Sequence, residues 1–322
     1  MSPDRDRSVS DGNPRDENAP GGSAKDGSTK DGSPRGDGSP RGDGPAAERP
    51  RPRADCTVDG ENRITVRLTT PDTPKAPASR PQLLLRLRPS KGQPEQLRRV
   101  FDLEPAPGRD RWQATVEPAP AFAEGRWDAY VLPSPGAPRQ RLLPGVRDLR
   151  ALVTGRAPDG TSSPLAVLVP YATLDGYFAI RAWLRPTHAE ADRIRVANGA
   201  MTVRGRLFGA ELGTGAAVLL RRRGKGGITR EVELTAEGDH AFSFTAGYRE
   251  LLSTPGAGAG PAVWDVFVRP SADRPPVRTA RLLDDLADRK KVFVYPATAL
   301  DGLNARPYYT VDNELSVEIT AG

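Results

Sequence analysis

The sequence predicts an all-β protein, two tandem immunoglobulin-like β-sandwich domains preceded by a disordered N-terminal tail. Three observations carry this. Short segments alternate polar and apolar residues at period two and are broken by Gly, Pro and Asp turns. Helical periodicity is scarce. Three well-separated blocks recur at a single offset of 137 residues, and chance matches would not keep one register.

In chain order the tail comes first. Residues 1–55 contain no Leu, Ile, Phe, Trp or Tyr, but 9 Gly and 8 Pro, in near-repeats such as Lys30-Asp31-Gly32-Ser33-Pro34 and Arg35-Gly36-Asp37-Gly38-Ser39-Pro40. Such a segment buries too little apolar surface to offset its ordering entropy, so it reads as disordered. Its Arg-Gly-Asp triplets at 35–37 and 41–43 read as by-products of the repeat. Asp4-Arg5-Asp6 lacks the rigid frame that a metal-holding Asp-x-Asp needs.

Residues 56–186 and 187–322 read as two copies of one β-sandwich, joined near Pro186-Thr187-His188-Ala189-Glu190. Thr65-Val66-Arg67 returns as Thr202-Val203-Arg204. Trp127-Asp128-Ala129-Tyr130-Val131-Leu132-Pro133 returns as Trp264-Asp265-Val266-Phe267-Val268-Arg269-Pro270. Pro170-Tyr171-Ala172-Thr173-Leu174-Asp175 returns as Pro307-Tyr308-Tyr309-Thr310-Val311-Asp312. Strands are predicted at 63–68, 112–116, 127–132 and 178–183 in the first copy, and at 242–245 and 315–319 in the second. Trp127 and Trp264 are predicted to fill equivalent core sites. The best helix candidate is 281–290. Its first-copy counterpart, 141–146, holds Pro144 and Gly145 and is predicted to be a strand with a turn, with room for at most one helical turn.

Composition excludes several chemistries. One Cys and two His among 322 residues leave no disulfide framework, no multi-cysteine metal site and no His-rich centre. No cofactor is implied. No apolar run approaches the roughly 18–20 residues of a membrane-spanning helix. The polar start, Met1 to Arg7, carries no apolar signal core. The expectation is a soluble cytoplasmic chain, at most peripheral to the inner face of the membrane. The net charge is +6, and 40 of 47 basic residues are Arg, interspersed with acids. No recognisable nucleic-acid motif accompanies them, which argues against a nucleic-acid partner.

Two candidate sites remain. Arg221, Arg222, Arg223 and Lys225 lie in a hairpin connection and would gather anions or a partner; Gly226 after the lysine rules out a Walker A loop. The repeated trio Tyr171, Thr173, Asp175 and Tyr308, Thr310, Asp312 forms a candidate polar site present twice. Its aspartates suit turns that bond their own backbone, and Tyr and Asp can also supply acid, base or sugar contacts. His188 and His240 read as surface histidines, Cys56 as a structural or incidental thiol at the tail boundary, and Asp284-Asp285 as a solvated pair. No catalytic residue is identified.

The runs Arg306-Pro307-Tyr308-Tyr309-Thr310-Val311-Asp312-Asn313-Glu314-Leu315-Ser316-Val317 and Ile194-Arg195-Val196-Ala197-Asn198-Gly199-Ala200-Met201-Thr202-Val203-Arg204-Gly205 are distinctive. They resemble β-sandwich modules that accompany cell-wall polymer transferases of the teichoic-acid type in high-GC Gram-positive bacteria. The resemblance covers 56–322. It implies a non-catalytic accessory or binding module that contacts a wall-polymer transferase, a glycan or an anionic polymer. It carries over no catalytic residue, because the catalytic domain in such systems is a separate α/β fold. Separately, the exposed edge strands of two sandwiches leave self-association open. The alternative is a glycosyl or glycerophosphoryl transferase whose site is the repeated Tyr/Thr/Asp segment.

Overall fold

The computed structural model describes residues 51–69, 80–107, 111–154, 163–224, 226–238, 240–258 and 260–322. Residues 1–50 of the expected tail, with both Arg-Gly-Asp triplets and Asp4-Arg5-Asp6, lie outside the described residues, as does Lys225.

The described chain is almost all strand. The first half runs β1 (Arg53–Val58), β2 (Ile64–Thr69), β3 (Gln82–Leu87), β4 (Arg98–Asp102), β5 (Glu104–Pro105), β6 (Arg111–Val116), β7 (Gly125–Leu132), β8 (Gln140–Arg141), β9 (Leu143–Asp148), α1 (Arg150–Thr154), β10 (Leu165–Ala172) and β11 (Phe178–Arg185). Its strands form two sheets, β5-β6-β2-β1-β9 and β10-β11-β7-β3-β4, with β8 beside β7.

The second half runs β12 (His188–Ala197), β13 (Ala200–Phe208), β14 (Ala217–Arg222), β15 (Thr229–Glu233), β16 (Thr235–Ala236), β17 (Ala241–Gly247), α2 (Tyr248–Leu252), β18 (Ala262–Arg269), β19 (Val277–Ala280), β20 (Thr298–Leu300), β21 (Leu303–Tyr309) and β22 (Leu315–Ala321). These follow one hydrogen-bonded path, β16-β17-β13-β12-β19-β18-β22-β21-β20, with β14 joining β18 to β15. β19 links its two wings: it is parallel to β12 and antiparallel to β18.

Period-two alternation explains these strands. Ile64, Val66 and Leu68 of β2 and Trp127, Ala129 and Val131 of β7 face one apolar core. Trp264, Val266 and Val268 of β18 and Val317 and Ile319 of β22 face a second. Every strand segment read from the sequence falls in a strand, except that Arg63 of 63–68 precedes β2, which starts at Ile64. Both tryptophans are buried. Trp127 packs edge-on against Phe122 at 4.9 Å and donates its indole N–H to the Ala123 carbonyl at 3.0 Å.

Three local expectations change. The first strand starts at Arg53, inside the segment read as tail, and Ala54 and Cys56 are already core residues. Burial pushes the Cys56 thiol up to about 12. Second, 281–290 contains no helix. Side chains satisfy its amides instead: Glu190 accepts from the N–H groups of Leu282 and Leu283 at 2.8 and 3.0 Å, Asp284 from Leu286 at 2.9 Å, and Asn313 from Arg289 at 3.1 Å. Leu282 and Ala287 thereby reach the first core, not the second. The helical turns lie at α1 and α2, five residues each. Third, His188 is buried, with Nε2 2.7 Å from Glu190 Oε2. Residues 188 and 190 share one face of β12, so the imidazole has its partner on its own strand.

Candidate anion-binding face

The Trp-Asp repeat builds the site. On β7, Trp127 faces the core, so Asp128 faces outward. Arginines cover it. Its carboxylate accepts from Arg86 Nη2 at 3.1 Å and Arg88 Nη2 at 2.6 Å, and Arg141 Nη2 stands 3.5 Å away. On β18, Asp265 accepts from Arg223 Nη2 at 2.8 Å, Arg278 Nη2 at 2.7 Å and the Ser316 hydroxyl at 2.8 Å. Arg278 lies 137 residues after Arg141. Arg86 pairs with Asp128 across β3 and β7, and Arg221 pairs with Asp265 across β14 and β18.

Aromatic rings complete each cluster. Arg86 and Arg139 lie 5.5 and 5.0 Å from the Tyr130 ring centre, and Arg221 and Arg278 lie 4.7 and 5.0 Å from that of Phe267. The hydrogen bond to Asp128 raises the Arg88 pKa above its usual value. Burial works against ionisation of Asp265, but the Arg223 hydrogen bond and the Arg278 charge still hold its carboxyl below the usual range.

The sequence-predicted trio sits beside the first cluster. Tyr171 ends β10. Thr173 Oγ1 accepts from the Tyr177 N–H at 2.9 Å, and its own N–H reaches the Tyr177 carbonyl at 2.9 Å. Asp175 meets Arg141 Nη1 at 2.8 Å. Hydrogen bonds from Thr173 and Arg141 pull the Asp175 carboxyl down to about 2. The second trio repeats the turn: Thr310 Oγ1 accepts from the N–H groups of Asp312 and Glu314, both at 3.2 Å. Tyr308 pairs with Ser316 on the same face as Asp265. Asp312 diverges from Asp175. It crosses to the first half and meets Arg181 Nη2 at 3.1 Å. Both threonines therefore shape turns, and both aspartates face arginines.

The first trio and the Asp128 cluster share one cleft of about 560 Å³, lined by Arg86, Arg88, Arg126, Arg141, Tyr130 and Tyr171, with Asp128, Asp175 and Asp288 as its acids. Sequence reasoning missed the arginines because they come from strands far apart in the chain. It could have found Asp128, since period two turns the neighbour of a core Trp outward.

The predicted basic loop lies elsewhere, on β14 and the turn after it. Arg223 is held by Asp265, and Arg221 covers Phe267. The Arg222 backbone N–H bonds the Ile228 carbonyl at 2.9 Å. Among the described residues, no group of three His, Cys, Asp or Glu is placed to hold a metal ion. No helix among them is long and apolar enough to cross a membrane.

The chain matches no known protein family, and no curated protein matches its sequence. Among solved structures it is similar to S. aureus TarS, at TM-score 0.28 and 11% identity, over 66% of this chain and 38% of that one. A structure of S. aureus TarS 217–571 gives TM-score 0.29 and 14% identity, over 61% of this chain and 55% of that one. The chain thus spans about half or less of the structures it resembles.

Proposed function

We propose that the chain is a non-catalytic accessory module of cell-wall glycopolymer synthesis, which holds an anionic glycopolymer on the outer sheet face of its first half. In this reading 56–186 and 187–322 are two copies of one sandwich, working on the cytoplasmic side of the membrane beside a wall-polymer transferase. The observation that carries the reading is the cleft in which Arg86, Arg88, Arg126 and Arg141 converge with Tyr130 and Tyr171. Guanidinium forks match the oxygens of anionic groups, and flat rings match sugar or polyol faces. The resemblance carried by the residue patterns at 194–205 and 306–317 supports the choice of pathway.

The test is calorimetric titration of the full chain with a synthetic poly(glycerol phosphate) and with uncharged dextran, at low and high salt. The expected result is saturable binding of the polyanion that weakens as salt rises, and none of dextran. Equal heats from both polymers, or no binding of the polyanion at low salt, would overturn the proposal.

A further inference from the structure

Three arginines stand side by side on neighbouring strands of the first half. Arg181 of β11 pairs directly with Arg126 of β7. Arg88, just past β3, donates its backbone N–H to the Arg126 carbonyl at 2.8 Å, which makes it the next residue in the same row. All three share the outward face of Asp128, since 126 and 128 differ by two. Strands lie about 4.8 Å apart, so three guanidinium stems are crowded together. Like charges directly opposite are destabilising.

The fold does not demand this row. At the matching register in the second half, Glu318 stands where Arg181 stands, and Val263 stands where Arg126 stands. Arg223 bonds the Val263 carbonyl at 2.8 Å, as Arg88 does that of Arg126. There Glu318 pairs with Arg306. One half mixes its signs across the row; the other stacks three positive charges.

Counter-charge in that row comes from the flanks. Asp128 takes Arg88, and Asp312, from the second half, takes Arg181. Arg126, in the middle, pairs with no carboxylate among the described residues; the one side-chain hydrogen bond it makes among them runs to the Val311 carbonyl at 3.3 Å. Two buried donors beside it lack partners among the described residues: the Tyr171 hydroxyl and Arg181 Nε. Arg88 and Arg126 line both of two clefts, of about 560 and 460 Å³; Tyr171 lines the first and Arg181 the second, so the row stands where the two clefts meet.

We propose that Arg88, Arg126 and Arg181, with the Tyr171 hydroxyl, form a phosphate subsite, and that the Asp312 carboxylate is its resident competitor. This rests on the anionic-polymer reading and names the group recognised. A phosphoryl group offers oxygens in several directions at once, which suits three forks arriving from three strands. A ligand phosphate takes over Arg181 from Asp312 and loosens the contact between the two halves.

The test is a phosphorus NMR titration of the full chain with glycerol 3-phosphate, a monoester, and bis(glyceryl) phosphate, a diester. Glucuronate, which carries no phosphorus, is added as a competitor against the bound esters and serves as the carboxylate control. Both phosphate esters bind; tighter binding of the diester identifies a polymer linkage, and tighter binding of the monoester a chain end or precursor. Arg126→Val, which copies the residue at the matching register, weakens binding about tenfold. Asp312→Asn strengthens it about threefold. A thermal melt of each variant checks that it is folded. Unchanged phosphate binding in folded Arg126→Val, or glucuronate binding as tightly as phosphate, overturns the subsite. If poly(glycerol phosphate) binds wild type and Arg126→Val equally, the module function stands and the subsite falls. If the polymer fails to bind while the small esters still bind and respond to Arg126→Val, the subsite stands and the polymer reading falls.

Discussion

Asp128 shows how a single residue links the core to the surface. It is buried, yet three guanidinium groups surround it. Removing one partner of a buried ionic cluster costs about 3–5 kcal/mol when the cluster is fully enclosed. Arg88 is partly in water, so Asp128→Ala should cost less, about 2–3 kcal/mol, in a urea melt. A melt unchanged from wild type would mean that the cluster contributes nothing to the fold. The residue was legible: the alternation that sends Trp127 inward sends Asp128 outward. Its arginine partners were not, because Arg86, Arg88 and Arg141 meet only once β3, β7 and β8 are paired. His188 illustrates the converse. Its burial depends on Glu190, two residues on, which is a signal present in the chain but easily mistaken for a polar linker.

Among the elements, the strands were readable and the segment at 281–290 was not. Strand identity follows from local alternation, which needs no knowledge of partners. The fate of 281–290 depends on Glu190, Asp284 and Asn313 capturing its amides, and two of these lie outside the segment. Its apolar spacing suited a helix, but Leu282 and Ala287 are used by a different core. On β18, Trp264 is the largest side chain pointing into the second core. Trp264→Ala should cost about 3–5 kcal/mol, read as a lower denaturant midpoint. An unshifted midpoint would place the ring outside the packing that holds β18.

At the scale of the whole molecule, burial keeps many weak acids protonated. Burial raises the pKa values of Tyr171, Tyr248, Tyr295 and Tyr309 above the ordinary 10.0, and that of Cys56 from 9.0 to about 12. Each group binds its proton more tightly folded than unfolded. Their contribution to stability is therefore complete below about pH 9 and is lost progressively as pH climbs from 9 and 10, the unfolded values, through the raised folded ones. A tyrosinate absorbance titration should show these four of the seven tyrosines ionising late, together with unfolding. Seven simple titrations near the ordinary value would contradict the buried placement. The bulk of the architecture was visible in the chain, but the exchange between its halves was not, since it rests on contacts more than 90 residues apart. That exchange bears on synthesis. The last strand of the first half ends at Arg185, yet its core includes Leu282 and Ala287. A ribosome adding roughly 5–20 residues per second needs about 5–20 s to make the stretch between. For that interval the nascent first half has a gap where those two side chains belong, and the apolar surface around it stays open to water.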